Sequence, residues 1–202
     1  MKKEAAKLLS NWWTSPDQMF IEHWLTPGRW GSVIELWHEL DLPKIHLVMN
    51  LYVALTEESD QIRQEYERLF VGPGRVPCPP YEAVWQLERP RHEEGMVTGE
   101  ATDAVSRLYA SMGLHAQPGC PEFLDHVAIE LEALAHAWSG RAGFMDAHHL
   151  LENHLAKWIP LFCESVVEDT KLDFYRILAV LTMESVQSWA EQSRLEVEGL
   201  FT

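Results

Sequence analysis

Ten histidines and 31 acidic side chains in a chain of 202 residues raise the question of metal chemistry first, and their spacing answers it. A di-iron centre in a helical bundle takes two Glu-x-x-His motifs and two further glutamates projecting inward. Glu35 and His38 form the single motif of that kind here. His126 with Glu130, Glu132 with His136 and His148 with Glu152 stand four residues apart, a spacing shared by ordinary partners on helix surfaces. Nucleophilic and phosphate chemistry lack their signatures too. There is no Gly-x-Ser-x-Gly elbow and no dinucleotide fingerprint, and the turn Gly72-Pro73-Gly74 lacks the Lys and Ser/Thr of a phosphate loop. The expectation is a protein with no metal site, no cofactor and no catalytic residue, against the alternative of a metal-binding helical bundle.

Side chains suited to holding a partner are concentrated in EYERLFVGPGRVPCPPYEAVW, residues 65–85. Ile62, Tyr66, Leu69 and Phe70 fall on one helical stripe, and Gly72, Pro73 and Gly74 end the helix. Pro77, Pro79 and Pro80 then hold the loop near extended geometry. Tyr81 and Trp85 are thereby delivered to one place at small ordering cost, and amphipathic rings presented in this way serve as recognition anchors. Asp125 and His126 admit two readings. In the local one, Asp125 favours the positive end of a helix dipole while His126 packs or caps; in the other, both line a cleft that meets a partner.

Helices must position these residues. Apolar residues follow the 3.6-residue period and show no sustained alternation of strand type, so an all-α protein of about ten helices is expected. Helices are read at residues 2–13 and 16–25, a third runs from a Thr26-Pro27 cap to about residue 40, and a pair follows at 43–55 and 59–70. Thr98 caps a helix over 99–112 with a stripe of Val105, Leu108, Tyr109 and Met112, and Gly113 stops it. Residues 114–121 carry a glycine and two prolines, and are read as the hinge between an N-terminal lobe (1–113) and a C-terminal lobe (122–202). A helix over 122–139 stops at Gly140. Helices near 142–158, 160–167 and 171–192 complete the chain, with Pro160 breaking or kinking the run. Trp12, Trp13, Trp24, Trp30 and Trp37 are read as helix-packing core.

Composition narrows the class. With 47% hydrophobic residues the chain can bury a core as one domain or two tight lobes. A net charge of -15 argues against nucleic acid and anionic membranes and favours a basic partner. Cys78, Cys120 and Cys163 are odd in number and widely spaced, which fits a reducing cytoplasm better than a disulfide framework. The start, MKKEAAKLLSNWW, is interrupted by Lys7 and reads as a helix, not a signal peptide. No stretch approaches the roughly 20 apolar residues of a membrane span.

The LF, PPYE and VW elements of residues 65–85 resemble the TorD/DmsD/NarJ chaperones, maturation factors of molybdenum-containing oxidoreductases. PEFLDHVAIELEALAHAW at 121–138 is similar to that family's proline, Asp-His and downstream Leu-Glu pattern. HLAKWIPLF at 154–162 and DFYRILAVL at 173–181 look like its closing segment, so the resemblance spans residues 57–181. The first fifty residues match in helical, tryptophan-rich character alone. The resemblance implies a non-enzymatic cytoplasmic chaperone that binds the twin-arginine signal peptide or the catalytic subunit of one molybdoenzyme and assists cofactor insertion before export. A NarJ-like assembly factor for a non-exported enzyme is the alternative within the family, and a generic helical scaffold the alternative outside it. The implied client-binding residues are Tyr66, Leu69, Phe70, Pro80, Tyr81, Glu82, Trp85, Asp125, His126 and Glu130. A groove of Leu69, Phe70, Tyr81 and Trp85 would take the apolar part of the client, and Asp125 with Glu82 its arginines. The hinge adds the expectation of a monomer that exchanges lobes into a domain-swapped dimer.

Overall fold

Apolar side chains at three- and four-residue spacing close into helices through the residues described by the computed structural model, namely 1–26, 28–40, 44–85, 100–115, 123–140 and 143–200. In order these are α1 (Lys2–Trp12), α2 (Gln18–Leu25), α3 (Arg29–Glu39), α4 (Ile45–Tyr66), α5 (Glu82–Trp85), α6 (Glu100–Ser111), α7 (Val127–Ala137), α8 (Phe144–Leu150), α9 (Ala156–Asp169) and α10 (Asp173–Gly199). π-helical turns at Glu67–Val71 and Leu151–Leu155 extend α4 and join α8 to α9. Among the described residues there is no strand, and one isolated bridge pairs Tyr81 with His126. The protein is all-α, as the periodicity requires.

Helix ends show where local signals suffice and where packing overrides them. Asp17 caps α2 by accepting the Phe20 N–H at 2.7 Å, so the helix expected from residue 16 begins at Gln18. Gly113 takes φ 75 behind α6, and Leu114 N–H donates to the Tyr109 carbonyl at 2.8 Å, closing that helix as expected. Thr26 does not cap the third helix. It follows α2 with extended backbone and donates its hydroxyl to the Glu22 carbonyl at 3.0 Å, while Gly28, at φ 90, precedes α3. The pair expected at 43–55 and 59–70 is one helix, because nothing in Thr56-Glu57-Glu58 interrupts a helix. Thr56 Oγ1 instead donates to the Tyr52 carbonyl one turn back, at 2.9 Å. The helix expected from residue 122 begins at Val127, after a turn at 124–125. Pro160 lies inside α9 and does not end it; the wide π turn falls just before α9. The Thr98 cap, Cys120 and positions 116–121 of the hinge lie outside the described residues.

A single hydrophobic core draws on residues from both sides of the hinge. Trp12 stacks on Trp30 and Trp37 at 5.6 and 6.1 Å and meets Trp24 edge-on at 5.3 Å. All five N-terminal tryptophans are buried, as expected of them. Trp13 points the other way, packs against Phe70 and Phe162, and donates its indole N–H to Thr182 Oγ1 of α10 at 2.9 Å. Along the neighbouring face of α1, Ser10 Oγ donates to the Ala128 carbonyl of α7 at 2.8 Å. α10 packs over α4 and α9, so the last helix lies against both halves of the chain. No described helix is long and apolar enough to cross a membrane.

Candidate functional site

The proline loop is tied down at both ends by its own backbone. Gly72, at φ 97, closes the π turn by donating to the Glu67 carbonyl at 2.8 Å, a backbone angle that favours glycine. Cys78 N–H donates to the Leu69 carbonyl at 3.0 Å. Past the three prolines, the chain pairs with the turn before α7. Val127 N–H donates to the Pro80 carbonyl and Glu82 N–H to the Asp125 carbonyl, each at 2.9 Å. The two segments that carry the sequence signature, separated by some forty residues, thus meet along one short edge at Tyr81 and His126.

His126 is the N-cap of α7, its Nδ1 accepting the Ala128 N–H at 3.1 Å. Asp125 does not serve its own helix. Its Oδ2 accepts the Ala83 N–H at 3.1 Å and so caps α5 from across the edge, with Thr102 of α6 also bonded to the carboxyl. Tyr81 stands half-buried above this junction, its ring 5.2 Å from that of His126 and 5.9 Å from that of Phe123, edge-on to both. Phe123 is 43% exposed and Val84 37% exposed. A small apolar surface of Tyr81, Phe123 and Val84 therefore overlies a layer of buried ionisable groups.

Glu82, Asp125 and Glu130 make up that layer, at 1%, 0% and 0% exposure. Glu82 faces His154 Nδ1 at 2.9 Å, and Glu130 Oε2 accepts the Trp158 indole N–H at 3.2 Å. Burial, and then the charge of Glu82, hold the Glu130 carboxyl well above the ordinary carboxylate range. Burial raises Asp125 too, opposed by the hydrogen bonds from Ala83 and Thr102. The Tyr109 hydroxyl, buried and without a hydrogen-bond partner, is pushed up by burial and then by Glu130, Glu82 and Asp125. No group of three His, Cys, Asp or Glu among the described residues stands in a metal-holding arrangement.

The remaining residues of the signature lie deeper. Leu69, at 0%, and Phe70, at 5%, are core side chains and do not form a groove wall, and Tyr66 packs edge-on against Phe70. Pro80 is buried. Trp85 is 8% exposed, donates its indole N–H to the Pro79 carbonyl at 2.7 Å and meets Phe162 edge-on. His126 and Glu130 are not an ion pair four apart: one caps the helix and the other turns into the interior. Sequence reasoning missed Phe123, Val84, His154 and Tyr109. Phe123 and His154 both lie inside stretches already singled out, but nothing in their spacing says that they meet Tyr81 and Glu82.

The described residues thus form an all-helical bundle in which the rings of Tyr81 and Phe123 stand beside buried carboxylates. The chain belongs to the nitrate reductase delta subunit family, whose model matches residues 42–164. It is 29% identical over 154 residues to the Tat proofreading chaperone DmsD of Salmonella typhi, spanning 76% of this chain and 71% of that one. Against the chaperone protein TorD of Shewanella pealeana it is 27% identical over 164 residues, 80% of this chain and 72% of that one. A crystal structure of an Archaeoglobus fulgidus protein described as a redox enzyme maturation protein superposes with a TM-score of 0.61 over 92% of this chain and 93% of that chain, at 24% identity. The relatives DmsD and TorD are both named as chaperones.

Proposed function

We propose that the protein is a cytoplasmic maturation chaperone that binds one molybdoenzyme subunit through its twin-arginine leader and holds it until cofactor insertion is complete. The observation that carries this reading is the Tyr81–His126 edge, where the two signature segments join and leave Tyr81, Phe123 and Val84 toward solvent. A leader of this type combines arginines with an apolar stretch. The three apolar side chains suit the second part, and an acidic protein of net charge -15 draws in the first. Glu82, Asp125 and Glu130 are too deeply buried for direct contact in this conformation. They serve here as the buried polar seat beneath the rings, and Leu69, Phe70 and Trp85 as packed core.

Calorimetry with a leader peptide and its arginine-to-alanine variant tests the reading. Tyr81→Ala should weaken binding by about 2 kcal/mol, the size of an aromatic anchor, with unfolding midpoints little changed. The arginine-dependent part should shrink as salt shortens the screening length to about 10 Å. Unchanged affinity in a folded Tyr81→Ala protein places the contact elsewhere. The family model is named for a nitrate reductase subunit, and the second version of the reading is assembly of an enzyme that is not exported. Capture of a client whose leader has been deleted separates the two, because only the second version retains it.

A further inference from the structure

Glu82 and Glu130 meet in the interior with an oxygen too many. His154 Nδ1 serves Glu82 at 2.9 Å, and Trp158 Nε1 serves Glu130 Oε2 at 3.2 Å. Glu130 Oε1 receives no donor, although the side chain lies within hydrogen-bonding reach of Glu82. Two ionised carboxylates cannot stay side by side in a dry interior without a cation between them. Among the described residues, the groups around the pair supply no fixed cation. They are Asp125 and His126 from the turn before α7, Thr102 and Tyr109 from α6, Trp158 from α9 and His154 from the π turn. Behind His154 stands His149 of α8, ring centres 5.9 Å apart, itself flanked by Asp146, His148 and Lys157, while Glu132 of α7 acts on Tyr109.

We propose that Glu130 is a protonated acid at neutral pH that donates its hydrogen to Glu82, and that this shared proton, together with His154, seats the single helical turn α5 beneath Tyr81. α5 has four residues, too few to hold a helix by themselves. Its anchors are the two bonds that Asp125 accepts from Glu82 N–H and Ala83 N–H, and the buried Glu82 carboxyl itself. Removing the proton sets two negative charges against each other at this one seat. The sign follows from where the proton is held: the stabilisation is complete below the ordinary glutamate range, fades as pH rises above it, and is gone once pH passes the value at which buried Glu130 titrates.

The test uses the protein alone and does not rest on the client reading. Infrared spectra of the wild type at neutral pH should contain the C=O stretch of a protonated carboxyl, and Glu130→Gln, whose amide can donate to Glu82 in its place, should lack it. Hydrogen exchange at the Glu82 and Ala83 amides, corrected for intrinsic rates, should lose protection by about tenfold per pH unit between the ordinary glutamate range and the titration of buried Glu130 in the wild type, level off above it, and stay flat in Glu130→Gln. In Glu82→Gln the band should persist at a shifted frequency, because the proton then meets an amide oxygen. A wild type without the band at neutral pH, a folded Glu130→Gln that keeps it, or a folded Glu82→Gln that loses it overturns the proposal.

Discussion

A carboxylate can be buried at little cost when donors surround it, and Glu65 has four. Arg68 grips it with Nε and Nη2, both at 2.8 Å, the Lys171 N–H donates at 2.6 Å and the Thr170 hydroxyl at 3.2 Å. Burial pushes this carboxyl up, but the bonds from Arg68, Lys171 and Thr170 outweigh burial and hold it below the ordinary range. Its contribution to stability is therefore present above the ordinary glutamate value and is lost as pH falls through the depressed one. Glu65→Ala should cost about 2–3 kcal/mol at neutral pH, from charge-assisted bonds lost and donors left unpaired. Glu65→Gln should flatten the acid side of a stability profile measured by urea unfolding, and an unchanged acid slope would count against the assignment. Glu130, with one donor, is the opposite case. Both residues are glutamates on helices, and composition cannot tell them apart.

At the scale of elements, the cap of one helix is supplied by another. Leu172, ahead of α10, has no side chain able to cap, and the first amides of that helix, Asp173 and Phe174, donate to Glu58 Oε1 and Oε2 at 3.0 and 2.8 Å. Glu58 sits in the middle of α4, where the sequence reading broke the helix in two. Glu58→Ala should lower stability by about 1 kcal/mol, the usual worth of a cap, and shift the thermal midpoint by about 2–4 °C. A calorimetric scan decides it; an unchanged midpoint would mean that water replaces the carboxylate without loss. Thr26, Thr56 and Asp125 teach a related lesson. Each has a side chain that can bond to backbone in more than one direction: the two threonines turn back onto their own helices, and Asp125 turns away from its own to cap α5.

For the whole molecule, the expected exchange of lobes meets a structural obstacle. α1 lies along α7, and Trp13 reaches Thr182, so the first helix is built into the half of the chain beyond the hinge. Any exchange must take this interface apart, which makes interconversion of monomer and dimer slow and dependent on partial unfolding. Light scattering after mild denaturation and refolding should reveal a dimer that native dilution does not dissolve within hours. A single species throughout, or rapid equilibrium on dilution, contradicts this.

Helical class, the burial of the N-terminal tryptophans and the stops at Gly72, Gly113 and Gly140 were legible in the chain, because they depend on period, side-chain size or the backbone freedom of one residue, and the two segments that meet at Tyr81 and His126 were legible through the family resemblance. Burial depth was not legible. Leu69, Phe70 and Trp85 carry the signature as plainly as Tyr81 does, yet Tyr81 alone of the four is left half-exposed: Leu69 is fully buried, Phe70 packs against Phe162 of α9 and Tyr175 of α10, and Trp85 against Phe162. Which carboxylates would be surrounded by donors and which would face one another was likewise a matter of tertiary structure. Residues 82 and 130 have no local relation, and a charge in a low-dielectric interior is governed by what stands within a few ångströms of it, whatever its place in the sequence.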